Sequence, residues 1–240
     1  MIVTEYPFFI TYSPETMQGI VLVLRHSKYF SICKCGWQPG MHAPRERMIF
    51  LDYIAPNQVI RTMVDVGEKK AKLPPGQLVI RGFLAAALLG FATTLAYTFQ
   101  IQTNVGMFGA IVFPVGFAMI ILLGLELVTG NFALIPLAVI EKRVTVKEML
   151  RNWFWVLFGH LLGGVFFCFL LFVTLTEGGI TYENTLANKL ASGAEAKTIA
   201  YSENGWNGMT TIFVKAVLCN WLVSLGAVLA LTSSSTIGKI

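Results

Sequence analysis

The chain has 240 residues, of which 55% are hydrophobic and 13% charged, with a formal net charge of +5. Ordinary soluble domains carry about 25% charged residues. With a mean hydropathy of +0.66, the composition argues against a soluble enzyme and for an integral membrane protein.

Four cysteines (Cys33, Cys35, Cys168, Cys219) form no disulfide framework, because two fall inside apolar runs. Cys33 and Cys35 with His42 make only a weak metal clip. No metal and no cofactor is expected. Residues 1–55 mix aromatics, prolines and charges without a steady period, and read as a poorly ordered cytoplasmic extension. No signal peptide is visible there, since Glu5 and Glu15 interrupt the start and "IVLVL" (20–24) is too short. Residues 56–73, "PNQVIRTMVDVGEKKAKL", predict a basic amphipathic helix ahead of the membrane, lying in the interface or serving as a soluble connector.

From Gly82 to Ile140 the single charged residue is Glu126. The 20 residues Gly82–Ile101 suffice for one span at about 1.5 Å per residue. After a turn at 102–104, the 36 residues Val105–Ile140 are too long for one crossing and too short for two. The step Thr129-Gly130-Asn131, with Pro136 beyond it, predicts one crossing broken at 129–131, with a short second half-helix over 132–140. A third span is expected over 152–176, a polar loop over 177–208, and a fourth span over 216–238.

Lys and Arg number ten before the first span, none between the first two, four over 142–151 and two in the loop before the fourth span. The positive-inside rule therefore predicts a cytoplasmic N-terminus, with the 177–210 loop outside. The plasma membrane is favoured over an organellar one.

Non-helical backbone at membrane depth is tolerated only when buried in protein or lining a polar cavity. A half-helix N-terminus presents free N–H groups and a positive dipole end, which suits an anion. The stretch 126–132 thus reads as a substrate path. Thr129 is its contact residue or the cap of the half-helix, and Gly130 and Asn131 complete the step. Glu126 is an intramembrane carboxyl. Charged and facing the path it would repel an anion, so a structural role behind the loop is expected, bonded to loop backbone. Gly159 and Gly163 have the small-x-x-x-small spacing of close helix contact, and His160 between them reads as a packing residue.

The pieces "FPVGFAMIILLGLELVTGNFALIP" (113–136), "KRVTVKEMLRNWFWVLFGHLLGG" (142–164) and "FVKAVLCNWLVSLGA" (213–227) make the chain resemble the formate/nitrite transporter family, as a eukaryotic or fungal-type member, from about Pro56 onward. The resemblance implies an all-α, aquaporin-like bundle of six spans, with the second and fifth broken, assembled as a homopentamer. It implies passage of a small monovalent anion or its acid through the lipid bilayer: formate, nitrite, lactate and similar. By position, Phe113 and Phe117 would form an outer constriction, and Val128 and Val223 an inner one. Asn220 and Thr129 match family path residues, and Lys197 is the candidate outer lysine that attracts the anion. Against the family pattern, no acid-His loop follows Lys239, and the chain reads as C-terminally truncated, lacking the last two helices. The alternative is an inactive truncated product or an interacting membrane subunit. An aquaporin-type channel lacks its Asn-Pro-Ala repeats. No enzyme constellation and no nucleic-acid patch is present.

Overall fold

The computed structural model describes residues 53–181 and 183–239, which are almost wholly helical. The metal clip and nearly all of the 1–55 extension lie outside the described residues. Helix α1 (Pro56–Ala71) begins on Pro56, where a missing N–H costs nothing. It buries Val64, Gly67 and Ala71 on one stripe. The expected pre-membrane helix is therefore present. It packs on a later half-helix and on the N-terminal end of the second long helix.

Among the described residues, three helices are long and apolar enough to cross a membrane: α2 (Pro75–Thr103), α6 (Val146–Thr176) and α9 (Gly205–Leu229, extended by a 3₁₀ turn to Thr232). Helix α2 ends where Asn104 turns left-handed at φ 55°. Helix α6 starts on a capping box, with Thr145 and Glu148 satisfying each other's backbone N–H groups. The threonines of α2 (Thr93, Thr94, Thr98, Thr103) return their hydroxyls to carbonyls one turn back, so none of these hydroxyls is left unpaired in an apolar setting.

The most extensive packing joins α2 and α6. Glycines allow it. A Cβ at Gly82 would lie 2.8 Å from the Val156 carbonyl, one at Gly159 3.1 Å from Val79 Cα, and one at Gly163 2.9 Å from Phe83 Cα. The predicted Gly159/Gly163 contact is thus a backbone-to-backbone approach onto α2.

Between α2 and α6 run α3 (Gly106–Val112), α4 (Pro114–Leu122) and α5 (Val128–Ile140). The helical path is interrupted as expected, but the interruption lies at 123–127, between α4 and α5, ahead of the expected 129–131. Gly124 adopts φ +63° there, which ends α4 in a left-handed step that suits glycine. Thr129, Gly130 and Asn131 instead form the first turn of the second half-helix. The first half is itself divided at Phe113, before Pro114. The span limits also differ: α2 begins before Gly82, α6 before Asn152, and α9 both begins and ends earlier than 216–238. The expected polar loop 177–208 holds α7 (Thr185–Lys197), capped by the Asn184 side chain, and α8 (Ile199–Glu203). After α9 the chain returns to Tyr53, which pairs with Ser233 in an antiparallel bridge.

Candidate functional site

Four side chains gather behind the break. Glu126, 1% exposed, accepts from Lys70 Nζ at 2.9 Å and from Asn131 Nδ2 at 2.8 Å. The same Asn131 nitrogen donates to Asn152 Oδ1 at 2.9 Å, and Asn152 Nδ2 donates to the Lys70 carbonyl at 2.9 Å. Asn131 and Asn152 are fully buried. Glu126 is bonded to the Lys70 and Asn131 side chains rather than to the loop backbone expected. Helix ends explain the arrangement. The last carbonyls of α1 lack intrahelical partners, and α6 supplies donors: Asn152 to Lys70, and Arg151 to Ala71 at 2.8 Å. The Arg151 cation also meets the negative end of the α1 dipole, and Glu126 sits at the positive end of α5.

The break loop is tied to the spans on two sides. Arg81 of α2 donates to the Gly124 carbonyl at 3.3 Å. The Val128 N–H, first of α5, donates to His160 Nε2 at 3.2 Å. From α9, Ser224 donates to the Thr129 carbonyl at 3.1 Å. The Thr129 hydroxyl itself is buried and has no hydrogen-bond partner among the described residues.

At the break a cavity of about 210 Å³ opens between α1, α4, α5 and the end of α9. Lys70, Phe117, Leu127, Gly130 and Ala227 are among its walls. It is small and mainly apolar, with one cation at its edge. Phe117 approaches α9 at Gly226, where a Cβ would lie 3.1 Å from its ring.

The predicted residues divide accordingly. Phe117 and Gly130 are on the cavity, and Thr129 is in the same helical turn as Gly130. Val223 is half-buried beside Ser224. Asn220 lies one helical turn before Ser224, on the α9 face that reaches Thr129, and its amide donates to the Ala216 carbonyl. Phe113 is 40% exposed at the α3–α4 joint and is not on this cavity. Val128 points the other way, into a cluster with Leu78 and Val156, because the first turn of α5 rotates it toward α2 and α6. The neighbouring Leu127 takes the cavity wall. Lys197 ends α7 and lines a separate cavity of about 520 Å³ between α2, α6 and α7. The structure does not bring it to Thr129.

Lys70, Asn152, Ser224 and Leu127 were not singled out from sequence. Lys70 carried a signal: it follows Gly67 by three residues on the buried stripe of α1, one turn away on the same face. Outside the membrane, the Lys72 hydrogen bond to Glu68 (2.6 Å), with its charge and with Arg143, holds the Glu68 carboxyl below the ordinary range.

Residues 57–240 match the family model described as formate/nitrite transporter. The chain is 33% identical over 213 residues to a probable formate transporter of Methanothermobacter thermautotrophicus, covering 78% of this chain and 72% of that protein. It is 33% identical over 196 residues to the formate channel BtFdhC of Bacillus thuringiensis, covering 77% and 70%. It is 31% identical over 193 residues to the uncharacterized transporter YrhG of Bacillus subtilis (strain 168), covering 77% and 68%.

Proposed function

Since the chain belongs to the formate/nitrite transporter family and is an integral membrane protein, we propose that it passes small monovalent acids of the formate, nitrite and lactate class across the membrane together with a proton. The observation that carries this reading is the helix break. It opens on a small apolar cavity beside a buried Thr129 hydroxyl that has no hydrogen-bond partner among the described residues.

The physical argument starts from desolvation. A bare carboxylate crossing an apolar constriction loses its hydration without compensation, so the neutral acid is the easier species to pass. The N-terminal end of α5 offers partial positive charge to the anion as it approaches. Protonation then removes the charge before the narrowest point. Thr129 offers its hydroxyl as mid-path contact, and Gly130 allows close approach to backbone. Asn220 stands one turn along from Ser224 on the facing helix. Phe117, Phe113 and Val223 form the apolar constrictions, with Leu127 in the role first given to Val128. Glu126 is neutralised by Lys70 and kept out of the path. Asn131 holds that carboxylate in place. The chain acts as a homopentamer in the plasma membrane, with the N-terminus on the cytoplasmic side.

The test is uptake of labelled formate, nitrite and lactate into proteoliposomes under an acid-outside gradient. Thr129→Ala is expected to reduce initial uptake roughly tenfold, the worth of one hydrogen bond to a charged group. Uptake that ignores the proton gradient would sink the coupling. A Thr129→Ala protein as fast as the parent would remove Thr129 from the path.

A further inference from the structure

We propose that His160 is a positioning residue. It holds the first turn of α5 between the two long helices, as a neutral imidazole fixed in the Nδ1–H tautomer. Its two nitrogens face backbone groups of opposite kind. The Val128 amide can only donate, so Nε2, 3.2 Å away, carries no hydrogen. The Gly82 carbonyl can only accept, so Nδ1, 2.8 Å away, carries one. The imidazolium form would set an N–H against the Val128 N–H and break the contact. Charged groups around this contact are the Glu126 carboxylate, two residues before Val128, its partner Lys70, and Arg81, which precedes Gly82 and donates to the Gly124 carbonyl.

The location gives the bond its consequence. The first amides of a helix have no acceptor within that helix, and Val128 opens α5. His160 takes that amide from α6 while it grips α2 at Gly82, one of the glycines through which α2 and α6 approach. On the other side of the turn, Ser224 of α9 takes the Thr129 carbonyl. The turn that carries Thr129 and Gly130 is therefore clamped between His160 and Ser224. Its position in the cavity depends on both. His160 touches no substrate in this arrangement. It acts by placing the turn that does. For the transport readout this inference rests on the proposed function; for the structural readouts it does not.

The experiment compares the parent with His160→Leu, which keeps bulk and removes both bonds, and with His160→Gln. The Gln amide spaces an acceptor and a donor much as the ring does. In the parent, the ¹⁵N shifts of the His160 ring should show a bare Nε2 and a protonated Nδ1. Hydrogen–deuterium exchange over 128–131 should accelerate at least tenfold in His160→Leu and stay near parental in His160→Gln. Formate uptake should fall at least tenfold in the first and recover to within threefold in the second. An Nε2–H tautomer in the parent overturns the proposal, as does a His160→Leu protein with parental exchange and uptake. If His160→Leu does not fold, the tautomer of the parent decides. If the parent itself moves no formate, the functional reading fails, while exchange and ¹⁵N shifts still test the clamp.

Discussion

Asn131 uses one amide nitrogen for two acceptors, the Glu126 carboxylate and the Asn152 carbonyl oxygen, so three buried residues depend on one another. Lys70 supplies the countercharge from outside the spans. Removing one member of a buried ion pair costs about 3–5 kcal/mol, because the survivor is left charged and dry. Replacing both with neutral groups is far milder. Lys70→Met should therefore lower the thermal unfolding midpoint in detergent strongly, and Lys70→Met with Glu126→Gln should restore most of the loss. A double variant as unstable as the single one would mean that Lys70 acts through packing. Glu68 belongs to a different setting, half-buried near the end of α1. Lys72 and Arg143 lower its pKa on folding. A lowered folded value means that its contribution is present above the ordinary carboxyl range and is lost as pH falls through the lowered value. Titration of the Glu68 carboxyl by NMR should show that value rising toward ordinary in Lys72→Met. At this scale sequence reasoning reached Glu126, Thr129 and Gly130, because an acid and a Thr-Gly pair in an apolar run are chemically conspicuous. It missed Lys70, which is one lysine among three in "EKKAKL" until the helix is wound and one of them turns inward.

At the scale of elements, α2 and α6 approach through glycines that have no slack. Gly163 and Gly164 are neighbours with opposite surroundings: a Cβ at Gly163 meets Phe83 backbone, and one at Gly164 meets nothing within 4 Å. Gly163→Ala should destabilise the protein by about 1–3 kcal/mol through overpacking, whereas Gly164→Ala should be neutral or slightly stabilising, since alanine is the better helix former. Thermal melts of the two variants in the same detergent read this difference directly. The long apolar helices were legible, because uncharged runs of that length have few other uses. Their ends were not, since a helix extends past its apolar stretch wherever caps such as Thr145 and Glu148 support it. The break was legible as a break but displaced, because Gly124 ends α4 before the Thr-Gly-Asn step is reached. The apparent loop before α9 hid α7, whose Asn184 cap and alanine-rich body are ordinary helix signals.

For the whole molecule, the proposed orientation rests on charge placement and on the one long helix, α6, between the Arg143 turn and α7. We expect Ser192→Cys, exposed on α7, to react with an impermeant maleimide in intact cells that express an otherwise cysteine-free protein. Lys142→Cys should react only after permeabilisation. The reverse pattern would invert the assigned topology. The buried quartet of Lys70, Glu126, Asn131 and Asn152 also bears on how such a chain can change over generations. Its members come from three helices and the break loop, far apart in the sequence, yet no single replacement leaves the others satisfied. Drift at any one of these sites passes through a weakened ancestor unless a second site has already moved. Lineages of this protein should therefore either hold the quartet intact or exchange its residues as correlated sets, and across many descendants the four positions should vary together.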